Sequence, residues 1–507
     1  MKYRNILPIV ALAFSVPTLY AQEAPAQPAD TQATAPELTK LREDPKITRG
    51  ELPNGLKYII RPTAEPQGRA CIRLYVNVGS LDEKEHEKGI SHLLEHLVFN
   101  GSRHHKRNEL IPAMQQRGLG FGGDVNAYTS LLHTVYMLNL PNLQDDTVDF
   151  AFTVLRDFAD GATLTDDAID HERGIVRSEL YARDSASYRA GIAMLRHSSP
   201  GMKLADYLPI GTEEVIMGAP YEVFRNYYRT HYVPRNMTVV VTGDFKPEDA
   251  AAWVTRHFSD MADTPAPARC SLGTLSFNGP ADVVIENPES ELTSLLVGIS
   301  DPFVDKPDTL QQRIDDLPLQ LACSMLNRRL SRMAREADSS FQQAGVSQED
   351  MYESISSFGL NVTANHDKWK EAFESALLEL RRACVYGFSA AEFNEVLSAT
   401  LAAYKRQIGS WPTTDAASMA ERIIDSISDK AVITDPQETL RTLELGVARI
   451  MQNPDICRQA LEKAFDAARA RIVMSGSKVQ GTAAEDLRDV FDYVMKQEVS
   501  APQAEEV

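Results

Sequence analysis

The sequence predicts an α+β protein built from two similar halves. A chain of 507 residues, 43% hydrophobic and 24% charged, is long enough for several ordinary globular domains with a large buried core. Strand-like and helix-like stretches recur in similar order on either side of residues 262–273 (ADTPAPARCSLG), a linker by composition. The repeat, roughly 200 residues long, is far too long for a solenoid and fits a duplicated α+β unit.

The elements follow in order. Lys2 and Arg4 precede an apolar run over 6–16, and Leu19-Tyr20-Ala21 ends in a small residue before Gln22, so 1–21 reads as a secretory signal peptide. No cysteine follows the expected cleavage point, and no later stretch has the length of a membrane span, so a soluble periplasmic protein is expected. Residues 22–44, rich in Ala, Pro, Gln and Thr, read as a flexible leader. Asn54-Gly55, between Leu52 and the apolar stretch 56–60, is a two-residue hairpin signal. From 71 to 78, Ile72, Leu74, Val76 and Val78 alternate with Arg73, Tyr75 and Asn77, which predicts a half-buried strand. A helix over 89–99, strand-like residues 126–140, helices near 143–159 and 165–182 and a strand at 238–242 complete the first half, 45–262. The second, 274–480, shows a strand at 292–299, a long helix from 310 to 337, strand-like 352–364, several helices and a closing strand at 471–474. Residues 481–507 are a tail with one helical pattern at 486–495.

The net charge of −19 argues against a nucleic-acid partner, because no basic face is available to displace counterions from phosphates. The five cysteines are odd in number and scattered, with no CxxC pair, so any metal must be held by His and carboxylates.

The helix at 89–99 carries the chemistry. Ile90, Leu93, Leu94, Leu97 and Val98 share the apolar face, whereas His92, Glu95 and His96 lie together on the other. Histidines at i and i+4 project from consecutive turns and can share one zinc ion. Glu95 points the same way, placed to take a proton from an attacking water. In the helix at 165–182, Ala168, Ile169, Glu172, Ile175, Val176, Glu179 and Leu180 fall on one face. Carboxylates amid apolar neighbours need a cation or strong donors, so one glutamate is expected on the zinc and the other in support. An arginine partner such as Arg173 or Arg177 is the competing reading, and spacing alone does not choose between Glu172 and Glu179.

These motifs resemble the pitrilysin/insulinase family of inverzincin zinc metallopeptidases, which includes the β subunit of mitochondrial processing peptidase. The resemblance is carried by His92-Leu93-Leu94-Glu95-His96 and by the stretch Glu172 to Glu179. Gly79-Ser80-Leu81-Asp82-Glu83, Phe99-Asn100-Gly101-Ser102, Asn126-Ala127-Tyr128-Thr129-Ser130, Pro209-Ile210-Gly211 and the run from Tyr232 to Asp244 agree with it. It implies two α/β-sandwich domains, each a mixed, mainly antiparallel sheet packed with helices, forming one half of a clamshell chamber. It further implies one Zn2+ per chain on His92, His96 and Glu179, with Glu95 as base, Glu172 in support, and Asn126 and Ala127 on a strand edge that binds peptide backbone. His133, in the same region, is read as an ordinary histidine. One departure stands out: complete members carry an arginine and, seven residues later, a tyrosine in the partner half. Residues 326–345 offer Arg335 but Gln342 at that spacing. The expected protein is therefore an endopeptidase half-chamber, in a homodimer or a heterodimer whose second subunit supplies the Arg/Tyr pair. A non-catalytic zinc-binding subunit or peptide scaffold is the alternative.

Overall fold

The computed structural model of the protein describes residues 40–502; the expected signal peptide and most of the expected leader lie outside them. The first sheet contains β1 (Thr48–Glu51), β2 (Lys57–Pro62), β3 (Ala70–Val76), β4 (Val125–Thr129), β5 (Thr134–Leu140) and β6 (Met237–Gly243) in the order β1-β2-β6-β3-β5-β4. The second contains β7 (Asp282–Glu286), β8 (Thr293–Pro302), β9 (Gln343–Met351), β10 (Ile355–Ala364) and β11 (Arg471–Gly476) in the order β7-β11-β8-β10-β9. Strand for strand, β2, β6, β3, β5 and β4 correspond to β7, β11, β8, β10 and β9. β2 runs parallel to β6 and β7 parallel to β11, and the remaining pairs are antiparallel. This shared topology is the duplicated unit expected from sequence.

One face of each sheet packs on helices of its own half. Ile60, Ile72, Leu74 and Val76 meet Leu93, Leu94 and Leu97 in the first core; Leu295, Val297, Leu360 and Val362 meet Leu326, Phe373 and Leu377 in the second. The opposite face of the first sheet is also covered. Ile59, Tyr75, Val135 and Val240 pack against Trp411, Met419, Ile423 and Ile424, of which the last three belong to the second-half helix Ala416–Ser428. β3 is consequently buried on both faces, where alternation predicted a half-buried strand. Arg73, placed on the solvent side by its sequence, is instead buried, and its Nε lies 3.4 Å from Glu421 Oε1. Sequence periodicity reports one face of a strand and cannot see a helix that arrives some 340 residues later.

Two boundaries shift for the same reason. Leu41 and Asp44 are buried, and the Asp44 amide donates to Ile433 O at 2.7 Å, so packing begins inside the expected leader. The helix Ala484–Lys496, assigned by sequence to the tail, places Leu487, Phe491 and Val494 in the second core. The Asn54-Gly55 hairpin is present as β1–β2, but its connection runs over 52–56 rather than two residues. The buried Asn54 carboxamide donates to Phe258 O at 2.7 Å, which anchors the turn to the body of the protein. Among the described residues no helix is long and apolar enough to cross a membrane, and all five cysteines are unpaired.

Candidate metal centre

The motif helix, Ile90–Leu97, begins at Gly89, whose φ of 96° favours glycine. A Cβ there would come within 2.9 Å of Gly211 Cα, so the loop at 209–211 closes directly on the helix start. Glu83 caps the same end: its Oε2 accepts from the Gly89 amide and its Oε1 from the Ser91 amide, both at 2.8 Å. The helix is thus held at its N-terminus by backbone and carboxylate contacts.

Its polar face is covered, not solvated. His92 and Glu95 are buried and His96 half-buried, because β4 and the glutamate helix, Asp166–Arg183, lie against them. His92 Nε2 lies 3.8 Å and His96 Nε2 3.7 Å from Glu179 Oε2, and the three form a group whose ligand atoms are all within 4.8 Å of one another. Zinc bonds of ~2.0–2.2 Å fit such a cluster with little adjustment. Glu172, two turns earlier on the same helix, reaches the other ring nitrogen of His96: its Oε2 lies 3.2 Å from His96 Nδ1, and its Oε1 accepts from Asn100 Nδ2 at 2.8 Å. The structure therefore separates the two glutamates that sequence spacing left equivalent.

The competing arginine pairing is met in part, by an arginine other than Arg173 or Arg177. Glu179 Oε1 accepts from Arg183, one turn on, whereas Arg173 is buried against Asp170 and Ala219 O, and Arg177 pairs with Glu213. Ile175 departs from the expected buried face; it is 43% exposed.

Electrostatics favour a cation here. Three carboxylates, Glu95, Glu172 and Glu179, crowd two imidazoles. Burial pushes the Glu95 carboxyl up, opposed by His96 and by Thr129 Oγ1, which donates to Glu95 Oε2 at 3.1 Å. His92 is held well below the ordinary histidine range by burial and by the positive charges of His96 and Arg183, so its ring is neutral, the form a metal would require. Burial works against charge on His96 too, but the Glu172 hydrogen bond and the surrounding carboxylates outweigh it and raise its pKa. A dication would replace that proton as the balancing charge. His92 Nδ1 is buried without a protein partner.

Asn126 and Ala127 lie on β4, the edge of the first sheet, beside the motif helix. The Ala127 amide donates to Asn126 Oδ1 at 3.0 Å. His133 stands outside the centre, stacked on Tyr75 and 3.3 Å from Ser428 Oγ. Sequence reading missed three partners: Thr129, Asn100 and Arg183. Thr129 carried a usable signal, a hydroxyl at the same strand phase as apolar Val125, facing the motif helix.

Two such sheets, one of them presenting an HxxEH helix to a glutamate helix, define the inverted-motif class of metallopeptidase folds. The chain belongs to peptidase family M16: residues 58–200 match the model described as insulinase (peptidase family M16), and 219–400 match the peptidase M16 inactive domain. It is similar to the probable zinc protease PqqL of Escherichia coli, 27% identical over 400 residues, covering 79% of this chain and 43% of that protein. Among solved structures, the periplasmic protease PqqL from Escherichia coli gives a TM-score of 0.85 at 24% identity, covering 91% of this chain and 51% of that one. The first half of PqqL gives 0.83, also at 24% identity, with 91% and 99% covered. The chain thus spans about half the length of these relatives, and at this identity the structural likeness is one of fold.

Proposed function

We propose that this chain is a zinc-dependent endopeptidase of the periplasm, acting on peptides or short unfolded polypeptides in a chamber closed by a second unit. The observation that carries the reading is the convergence of His92 Nε2, His96 Nε2 and Glu179 Oε2 beside a buried, hydrogen-bonded Glu95. A purely structural metal site needs no such base.

His92, His96 and Glu179 would hold the ion, and a zinc ion there supplies Lewis acidity toward a peptide carbonyl and toward water. The remaining work falls to the chain. Glu172 accepts at His96 Nδ1 and fixes the ring, itself held by Asn100. Thr129 occupies Glu95 Oε2 and leaves Oε1 to take the proton of the attacking water. Burial, by raising the Glu95 pKa, brings the carboxyl closer to the range in which it can also return that proton to the leaving amine. The β4 edge takes an extended substrate by backbone pairing, which displaces the Asn126 carboxamide from the Ala127 amide.

The second unit is inferred from what this one lacks. Arg335 is exposed, and Gln342, at the position of the family's tyrosine, donates to Asn365 Oδ1 at 3.1 Å. The fit of the chain to one half of PqqL supports a complementary half, in a homodimer or a heterodimer. The same absence favours the second reading, a zinc-binding subunit without activity of its own. Hydrolysis of quenched fluorescent peptides by the zinc-loaded chain decides. Activity lost on chelation and in Glu95→Gln is the expected result for the complete assembly, and intact peptides would contradict the proposal. Full activity from the isolated monomeric chain would remove the need for a partner.

A further inference from the structure

The two sheets differ in how their second face is treated. That of the first is sealed by the helix Ala416–Ser428, whereas that of the second is only partly covered, by the helix Ala186–Ser198 along β7 and β11. The rest is a groove of about 350 Å3 whose floor is β8, β10 and β9 and whose wall includes Met194 and His197. Two glycines lie side by side in the middle of its floor. Arg471 on β11 is paired with Gly298 on β8, Gly298 with Gly359 on β10, and Gly359 with Ser347 on β9. Three strand spacings make this trench roughly 14 Å long, the span of about four extended residues. A Cβ on Gly298 would meet nothing nearer than Leu296 Cγ at 4.0 Å, so the trench is open above it, whereas over Gly359 the Leu296 side chain leans in, its Cδ1 3.1 Å from where a Cβ would stand.

The trench ends at a cation that lacks an anion. Arg471 is only 8% exposed, yet among the described residues its guanidinium forms no ion pair, and its buried Nε has no hydrogen-bond partner. Its Nη2 donates to Pro280 O at 2.7 Å and lies 3.4 Å from His197 Nδ1. With His197 Nε2 3.2 Å from Ala281 O, this ring is placed as a neutral acceptor for Arg471 and supplies no charge. Asp282, the carboxylate acting on Arg471 from a distance, is already held by Arg488 at 2.6 and 2.8 Å. A buried guanidinium left without an anion is costly, and burial lowers its pKa accordingly.

We infer that this groove is a second peptide-binding site, separate from the metal centre, which seats an extended apolar segment with its carboxylate against Arg471. Leu296 and Met194 supply apolar contact, Gly298 lets the segment approach the sheet backbone, and Arg471 gains the anion that the fold withholds. The inference rests on the peptidase reading only for the class of ligand. The carboxylate is a chain terminus or an acidic side chain.

Fluorescence anisotropy on the zinc-loaded Glu95→Gln chain tests it without turnover, so failure of hydrolysis and failure of this site are told apart. Three short labelled apolar peptides serve as probes: one with a free C-terminus, one amidated, and one amidated with a glutamate before the last residue. The free-acid peptide is expected to bind about tenfold more tightly than the neutral amide. Tight binding of the third peptide would extend the site to acidic side chains; weak binding would restrict it to termini. Arg471→Met should reduce the free acid to the level of the amide. Gly298→Val, which fills the trench where there is room for a side chain, should do the same even if loss of Arg471 impairs folding. Equal affinity for acid and amide, or unchanged affinity in the Gly298→Val chain, would overturn the inference.

Discussion

Glu95 stands between opposed influences: burial raises its pKa, while the Thr129 hydroxyl and His96 favour its charge. Replacing it with glutamine keeps the shape and removes the base, so Glu95→Gln should lower kcat by about 10²–10⁴-fold with zinc still bound, measured by peptide hydrolysis alongside metal analysis. Thr129→Val should reduce kcat with little change in KM, and Thr129→Ser should restore it. Asn100 acts through Glu172, and Glu172 through His96. Asn100→Ala is therefore expected to weaken zinc affinity by about tenfold, read in a competition titration against a zinc-binding dye. At this scale the sequence was a good guide to residue type. His92, Glu95 and His96 could be placed from i, i+3 and i+4 spacing because a helix fixes those directions. The choice of Glu179 over Glu172 as ligand could not, because both lie on the same face two turns apart. It depends on where the motif helix crosses them, a tertiary fact.

The motif helix is held by elements that carry no zinc-binding chemistry. Glu83 is wholly buried at its N-terminus, and burial pushes its carboxyl up to about 8 against the hydrogen bonds of Ser91 and Gly89. Above the ordinary carboxylate pKa of 4.5 the unfolded chain releases this proton, while the folded one keeps it to about 8. The folded state therefore binds more protons across that window, and this group's contribution to stability falls as pH rises from about 4.5 to 8. Glu83→Gln should flatten that part of the dependence of Tm on pH relative to the native chain; parallel curves would show that the carboxyl is charged throughout. Alternation foretold the apolar face of β3 but not its second burial, since Arg73 and Tyr75 owe theirs to a distant helix. Turn chemistry was better: Asn54-Gly55 marks a hairpin, though the longer connection reflects the anchoring of Asn54 on Phe258 O.

The two halves are interleaved, each lending a helix to the other's sheet. Ile423 and Ile424 of the second half lie fully buried on β2, β3, β5 and β6 of the first. Ile423→Ala should cost about 2–5 kcal/mol and lower a single unfolding transition in urea, followed by near-UV circular dichroism; two separate transitions would mean that the halves fold independently. Duplication was legible in the recurring order of elements, although β7 and β9 escaped notice. β7 is short and only half-buried, and the exposed Gln348, Glu349 and Asp350 mask the strand pattern in β9. The interleaving was not legible, because no local pattern records which sheet a helix will cover. For the whole molecule, one zinc ion is expected to join the two decisive helices through His92, His96 and Glu179. Calorimetric titration of the metal-free chain with zinc, with Glu179→Gln and Glu172→Gln beside it, tests this most directly. One site per chain is predicted, abolished in Glu179→Gln and weakened about 10–100-fold in Glu172→Gln. Zinc bound as tightly by Glu179→Gln as by the native chain would contradict it.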